Sequence, residues 1–186
     1  MKKNVLKWVL TVIMAVSILS ISGFIYINKN LSTYCIYYVK HAPQTHAKNT
    51  NPEMVVILDN LVYLGESKVN GIRFDTDGSN GIINEMNSFI LTQAPDSEKV
   101  QYVSMPEDTT EENYRTYRYD KSGRFTSYFY RKPGKKNDIY EETENRKQEA
   151  QTYVDEVINP IVEEMKIEPK INLQWLFNKK YQDRFN

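Results

Sequence analysis

The pattern of apolar and polar positions divides the chain into three parts. The first is a run from Trp8 to Ile27, twenty residues without a charge and mostly Val, Leu, Ile, Met, Ala and Phe. As a helix it spans about 30 Å, the thickness of a bilayer's hydrocarbon core. The second, after a stretch rich in Asn, Thr and Pro ("HAPQTHAKNTNP"), is built of short apolar runs between turn residues. The third changes period. Ala150, Tyr153, Val154, Val157, Ile158, Ile161, Val162 and Met165 recur at steps of three and four, which predicts an amphipathic helix with acids on its other face.

The middle part reads as mainly β. "MVVIL" and "LVYLG" are short apolar runs, although Asn51-Pro52 equally suits the start of a short helix through Leu58. "KVNGIRF" carries an Asn-Gly pair between apolar residues and predicts a hairpin. "FDTDGSNGII" supplies another tight turn. "NSFILTQ" and "KVQYVSM" read as two strands across an Ala-Pro-Asp-Ser turn, and "YRTYRYDKSGRFTSYFYRK" as a further hairpin. In the last part, Pro160 falls inside the apolar phase, which continues past it, so a kink is expected and not a stop. Pro169 ends that helix. Asn172 then caps a second, with Leu173, Leu176, Phe177 and Tyr181 along one face.

These elements predict an α+β fold: an N-terminal transmembrane helix, then an antiparallel sheet with C-terminal helices packed on one face. The expected organisation is a cytoplasmic N-terminus at 1–7 and an anchor at 8–27. A linker and membrane-proximal segment follows at 28–52, and an extracytoplasmic domain at 53–186. Lys2, Lys3 and Lys7 precede the apolar run and only Lys29 follows closely, so the positive-inside rule places the domain outside the cell membrane. A cleaved signal peptide is the competing reading, with Ser20 and Ser22 ahead of Gly23, but the apolar run continues beyond that site. Bulky Tyr34 before Cys35 excludes a lipoprotein signal. As the single cysteine, Cys35 has no internal disulfide partner and reads as a small apolar residue near the anchor.

Charge adds organisation that the zero net value hides. Four of the 24 basic residues lie in the first thirty positions, so the rest of the chain has 20 against 24 acids, a net of −4. Residues 113–136 hold eight basic residues against Asp120 alone, and residues 138–168 hold ten acids against Arg146, Lys147 and Lys166. Such runs are usually solvated or mutually compensating, but one of them can also orient a partner of opposite sign.

No catalytic set emerges. His41 and His46 lie in the linker, and with Cys35 they match no zinc spacing. "DTDGSNG" fails as a calcium loop, since Asn80 and Met86 stand where Gly and Glu are needed. No Gly-rich phosphate loop or nucleophile elbow occurs. Neither a cofactor nor a metal is expected.

The hairpin at 114–132 is therefore the candidate site. With its turn at Lys121-Ser122-Gly123, Asp120 opposes Arg124, and unbroken pairing puts Tyr117, Tyr119, Phe125 and Phe129 on the core face. Tyr114, Arg118, Arg124, Tyr128 and Tyr130 are then left outside as partner-binding residues. Tyr and Arg are residues of interface hot spots and also stack on bases. A net-negative exterior domain is a poor nucleic-acid binder, so a protein partner is the expectation.

A lysine-led single anchor, a β-rich exterior domain, a helical end and the tail "INLQWLFNKKYQDRFN" together resemble the TipC family of immunity proteins from streptococci and relatives. The resemblance lies in the whole layout and in the tail at 171–186. It implies a non-enzymatic membrane-anchored protein facing the cell wall of a Gram-positive cell. Its partner would be a cognate toxin delivered by type VII secretion, one that attacks cell-wall precursors and is neutralised by binding. An envelope accessory or sensor protein that binds wall material or a membrane partner is the alternative.

Overall fold

A computed structural model describes residues 2–43, 50–77, 80–86, 89–93, 102–106, 115–130, 139–141 and 143–185. The apolar run forms helix α1 (Lys2–Thr33), and α2 (Cys35–Lys40) follows after Tyr34 alone. Next come α3 (Pro52–Asp59) and a 3-10 turn at Leu61–Tyr63. Seven strands follow: β1 (Ile72–Asp75), β2 (Gly81–Asn84), β3 (Phe89–Gln93), β4 (Tyr102–Pro106), β5 (Arg115–Tyr119), β6 (Phe125–Tyr130) and β7 (Ile139–Glu141). Helices α4 (Glu144–Glu164) and α5 (Gln174–Phe185) end the chain. This is the predicted α+β arrangement.

The sheet is a meander. Each strand pairs antiparallel with its sequence neighbours, in the order β1 to β7. One face carries the core. Ile72, Ile82, Phe89, Leu91, Tyr117, Tyr119 and Tyr128 meet buried residues of α2 to α5. Helix α4 contributes Ala150, Val154, Val157, Ile158, Ile161 and Val162 and continues through Pro160. Burial of large apolar side chains on both sides of that proline, at about 1.5–3 kcal/mol each, outweighs its cost of about 3 kcal/mol inside a helix. Thr143 caps the start of α4 by accepting from Arg146 N at 3.3 Å, and Asn172 Oδ1 accepts from Gln174 N at 2.8 Å at the start of α5.

One open reading is settled and one local expectation is corrected. Of the two readings of the run "MVVIL", the helix is the one found. Pro52 opens α3, and Met54 through Leu58 are all buried, leaving no solvated face for the alternation of an outer strand. Asn70-Gly71 joins no pair of strands. Gly71, at φ 75°, leads into β1, and its carbonyl accepts from Glu85 N at 2.9 Å beyond the end of β2.

A further finding concerns the first part of residues 28–52, expected as a linker and membrane-proximal segment. Asn30, Leu31, Ser32, Cys35, Ile36, Tyr38 and Val39 are buried, so the end of α1 and all of α2 belong to the domain. Tyr38 is the hub. Its hydroxyl donates to Asn30 Oδ1 at 2.6 Å, lies 3.2 Å from the Ile171 carbonyl and accepts from Leu173 N at 3.1 Å. Asn30 Nδ2 also donates to the Ile171 carbonyl, at 3.3 Å, and Gln174 Nε2 to the Tyr38 carbonyl, at 2.8 Å. The ring stacks on Phe177. The membrane-proximal part thus hides the polar atoms of Asn30 and Tyr38 in one hydrogen-bonded node.

Tyr38→Phe keeps the ring and strands Asn30 Oδ1 and Leu173 N in a buried site. The expected loss is about 1–3 kcal/mol, because buried groups left without partners carry their full desolvation cost. Urea unfolding of the detergent-solubilised protein measures it, and an unchanged midpoint contradicts the role of the node.

Candidate partner-binding surface

The hairpin of β5 and β6 is built around Asp120. Its Oδ1 accepts from Ser122 N at 2.9 Å, Ser122 Oγ at 2.6 Å and Arg124 N at 3.0 Å. Gly123 takes φ 76°, where a side chain is strained, and its backbone lies against the start of α3. Asn51 Nδ2 donates to the Gly123 carbonyl at 2.8 Å, and a Cβ at Gly123 would stand 2.8 Å from Asn51 O. On the other side Arg184 Nε donates to the Lys121 carbonyl at 2.7 Å and its guanidinium pairs with Asp59. Gln93 Nε2 donates to the same carboxylate at 3.1 Å. The turn is therefore a docked element, tied to both α3 and α5.

The pairing contains an irregularity that changes the faces. Tyr119 opposes Phe125 as expected, but Arg118 then opposes Ser127, Tyr117 opposes Tyr128, and Thr116 opposes Phe129. One extra residue in β6 reverses the side-chain alternation beyond it. Tyr128, expected outside, is buried on the core face, its ring 4.9 Å from that of Tyr117 and 5.5 Å from that of Tyr130. Tyr130 is half-buried against the same core, so it too is corrected from the outer to the inner face. Phe129, expected in the core, lies on the opposite face beneath Arg118, whose guanidinium carbon is 3.8 Å from the ring centroid.

The five predicted residues are thus not one patch. Arg118 is half-buried on the face opposite the helices, Arg124 is exposed at the turn, Tyr128 and Tyr130 point inward, and Tyr114 lies outside the described residues. The aromatic residues instead join the hairpin to α4. The Tyr117 and Tyr153 rings are 5.4 Å apart, the Tyr119 hydroxyl donates to the Ala150 carbonyl at 3.1 Å, and the Arg146 guanidinium lies over Tyr128 at 4.2 Å. Burial pushes the Tyr117 and Tyr119 phenols well above the ordinary tyrosine range, with Glu149 adding to the effect at Tyr117.

The helix-free side of the sheet carries exposed Arg73 paired to Glu85 at 3.5 Å, half-buried Ile90, half-buried Arg118 over Phe129, and the buried Ile83, Thr116 and Phe129. Thr116 is buried next to Phe129 in the register, its hydroxyl without a hydrogen-bond partner among the described residues. Concavities lie elsewhere among the described residues, two of them sizeable. A polar cleft of about 490 Å³ runs between Asp59, Gln93, Lys121, Lys180 and Arg184. An apolar groove of about 570 Å³ runs along Val39, Pro43, Trp175, Phe177 and Tyr181. Neither was read from the sequence. The visible signal for the groove was Trp175, a large apolar residue off the buried face of α5.

Among the described residues no group of three or more His, Cys, Asp or Glu is placed to hold a metal. His41 stacks on Tyr37 at 4.2 Å, His46 lies outside the described residues, and Cys35 is fully buried and free. No family model, curated protein or solved structure matches the chain.

Burial pushes the Cys35 thiol from its ordinary value of 9.0 up to about 12, and the Tyr181 phenol from 10.0 up to about 12. Both groups ionise earlier in the unfolded chain than in the folded one. Stability is therefore complete at neutral pH and falls as pH rises between about 9 and 12, by up to about 1.4 kcal/mol per unit for each group. Urea midpoints across that range check the sign. Alkylation of native Cys35 at neutral pH is expected to be slower than in urea, and equal rates contradict its burial.

Proposed function

We propose that this chain is a membrane-anchored, extracytoplasmic immunity protein that binds and neutralises a cognate secreted toxin acting on cell-wall precursors. The observation that carries the anchored-module part is α1. From Val5 to Thr33 it is long and apolar enough to cross a membrane, and its side chains are exposed until Ile27, where it begins to enter the domain core. A helix that packs on nothing over most of its length calls for lipid. The lysines ahead of it favour an outside domain. The toxin-binding part draws on the resemblance of layout and tail to TipC proteins. It is compatible with a domain whose conspicuous aromatic and basic residues serve packing and surface, with no catalytic constellation among those described.

Half-buried Arg118 and exposed Arg124 mark the proposed contact region. Sensitive cells that express the protein are expected to survive the toxin secreted from a neighbouring cell, and deletion of α1 up to Ile27 is expected to weaken that survival. Equal killing with and without the protein sinks the reading. The double variant Arg118→Glu, Arg124→Glu loses the contact over Phe129, costing about 0.5–1 kcal/mol, and remains folded. It is expected to bind toxin at least tenfold more weakly, since charge reversal in an interface costs more than loss of one contact. Unchanged affinity by calorimetry moves the contact region elsewhere.

A further inference from the structure

Outside α1, the large apolar side chains left exposed among the described residues are Val62, Tyr63, Met86, Ile167, Ile171 and Trp175. Val62, Tyr63, Ile171 and Trp175 lie on two segments that approach the root of α1. Val62 and Tyr63 are in the 3-10 turn, which contacts α1 directly. Ile171 offers its carbonyl to Asn30 and Tyr38, while Leu173 N and Gln174 reach Tyr38. Trp175 follows at once and is 66% exposed. Scattered single apolar residues on a surface need no explanation, but here two unrelated segments bring theirs to one place.

We propose that these side chains form a collar around the anchor that rests in the headgroup layer of the membrane, so that the domain is seated on the lipid surface and not held above it. The inference rests on α1 spanning the bilayer. Twenty residues from Trp8 to Ile27 fill the hydrocarbon core, and Asn30 then lies about 4.5 Å beyond its edge at 1.5 Å per residue. The Ile171 carbonyl is within hydrogen-bond distance of Asn30, which places this connection at headgroup depth. Trp and Tyr favour that depth because each has an apolar body and a polar edge. Lys29 and Lys170, both exposed neighbours of these residues in the chain, can reach lipid phosphates while their stems lie on apolar surface. Lipid is the occupant that the position of the collar requires, since any partner here must share the space with the bilayer.

The two tryptophans make the test direct. In the Trp8→Phe chain Trp175 is the only tryptophan, and in the Trp175→Phe chain Trp8 is. Each full-length variant is reconstituted in phosphatidylcholine and phosphatidylglycerol vesicles, with and without lipids brominated near the top of the acyl chains. The expected result is loss of Trp175 emission to bromine and a blue shift relative to urea-unfolded protein. Val62→Ser with Ile171→Ser should reduce that loss while the circular dichroism is unchanged. Quenching of Trp8 without quenching of Trp175 overturns the collar and leaves the anchor standing. Silence of both overturns the spanning helix and the collar with it. Quenching of Trp175 that is indifferent to the Ser substitutions shows lipid contact but overturns the role given to Val62 and Ile171.

Discussion

The hydrogen-bonded node at Tyr38 is the constraint on which the arrangement depends. A phenol hydroxyl in a buried site must find partners, and this one finds Asn30 at the end of α1 and the backbone at Ile171 and Leu173. Three distant parts of the chain are fixed by one side chain. Without it α1 is a helix joined to a domain. With it the last turn of α1 is part of that domain's interior, and the direction of the helix is set by the core. The tilted rings of Phe177 and Tyr181, 4.6 Å apart, extend the same contact into α5, and Asn60 closes it from α3 by donating to the Tyr181 hydroxyl at 3.1 Å.

The hairpin shows how a surface and a core compete for the same residues. Its tyrosines have the chemistry of a binding face, and most of them are used against α4. One extra residue in β6 accomplishes this, turning Tyr128 toward Tyr117 and releasing Phe129 to the other side under Arg118. Basic residues stay outside because their charge is costly to bury, while the aromatic residues go where packing rewards their area. Within α4, Arg146 and Lys147 pair with Glu149 and Glu144 of their own helix.

Elements with sustained periodicity were legible in the residue pattern: the apolar run of α1, the stepped apolar face of α4, and the alternating strands with their turns. Asp120 and Gly123 marked the turn correctly, because turn chemistry is local. The bulge was not legible, since it depends on how Tyr128 packs against Tyr117 across the sheet and Arg146 on a helix. Six residues of α2 are too few to show a period. Its burial follows from partners more than 130 positions away. The exposed collar was hidden for a similar reason. Val62 and Trp175 acquire meaning only once both are found beside α1.

The meander and the node impose opposite schedules on a chain made from its N-terminus. Every strand pairs with the one just before it, so the sheet can zip up as synthesis proceeds, with short loops to close and little waiting. Helix α2 has no such luck. Its hub residue has Asn30 at hand from the start but lacks its partners at Ile171, Leu173 and Gln174 until residues 171–174 have left the ribosome. The segment nearest the apolar helix is thus among the first made and the last to be sealed. A chain that stops after β7 but before residue 171 carries an open root beside a finished sheet, a state that quality-control proteases are well suited to recognise.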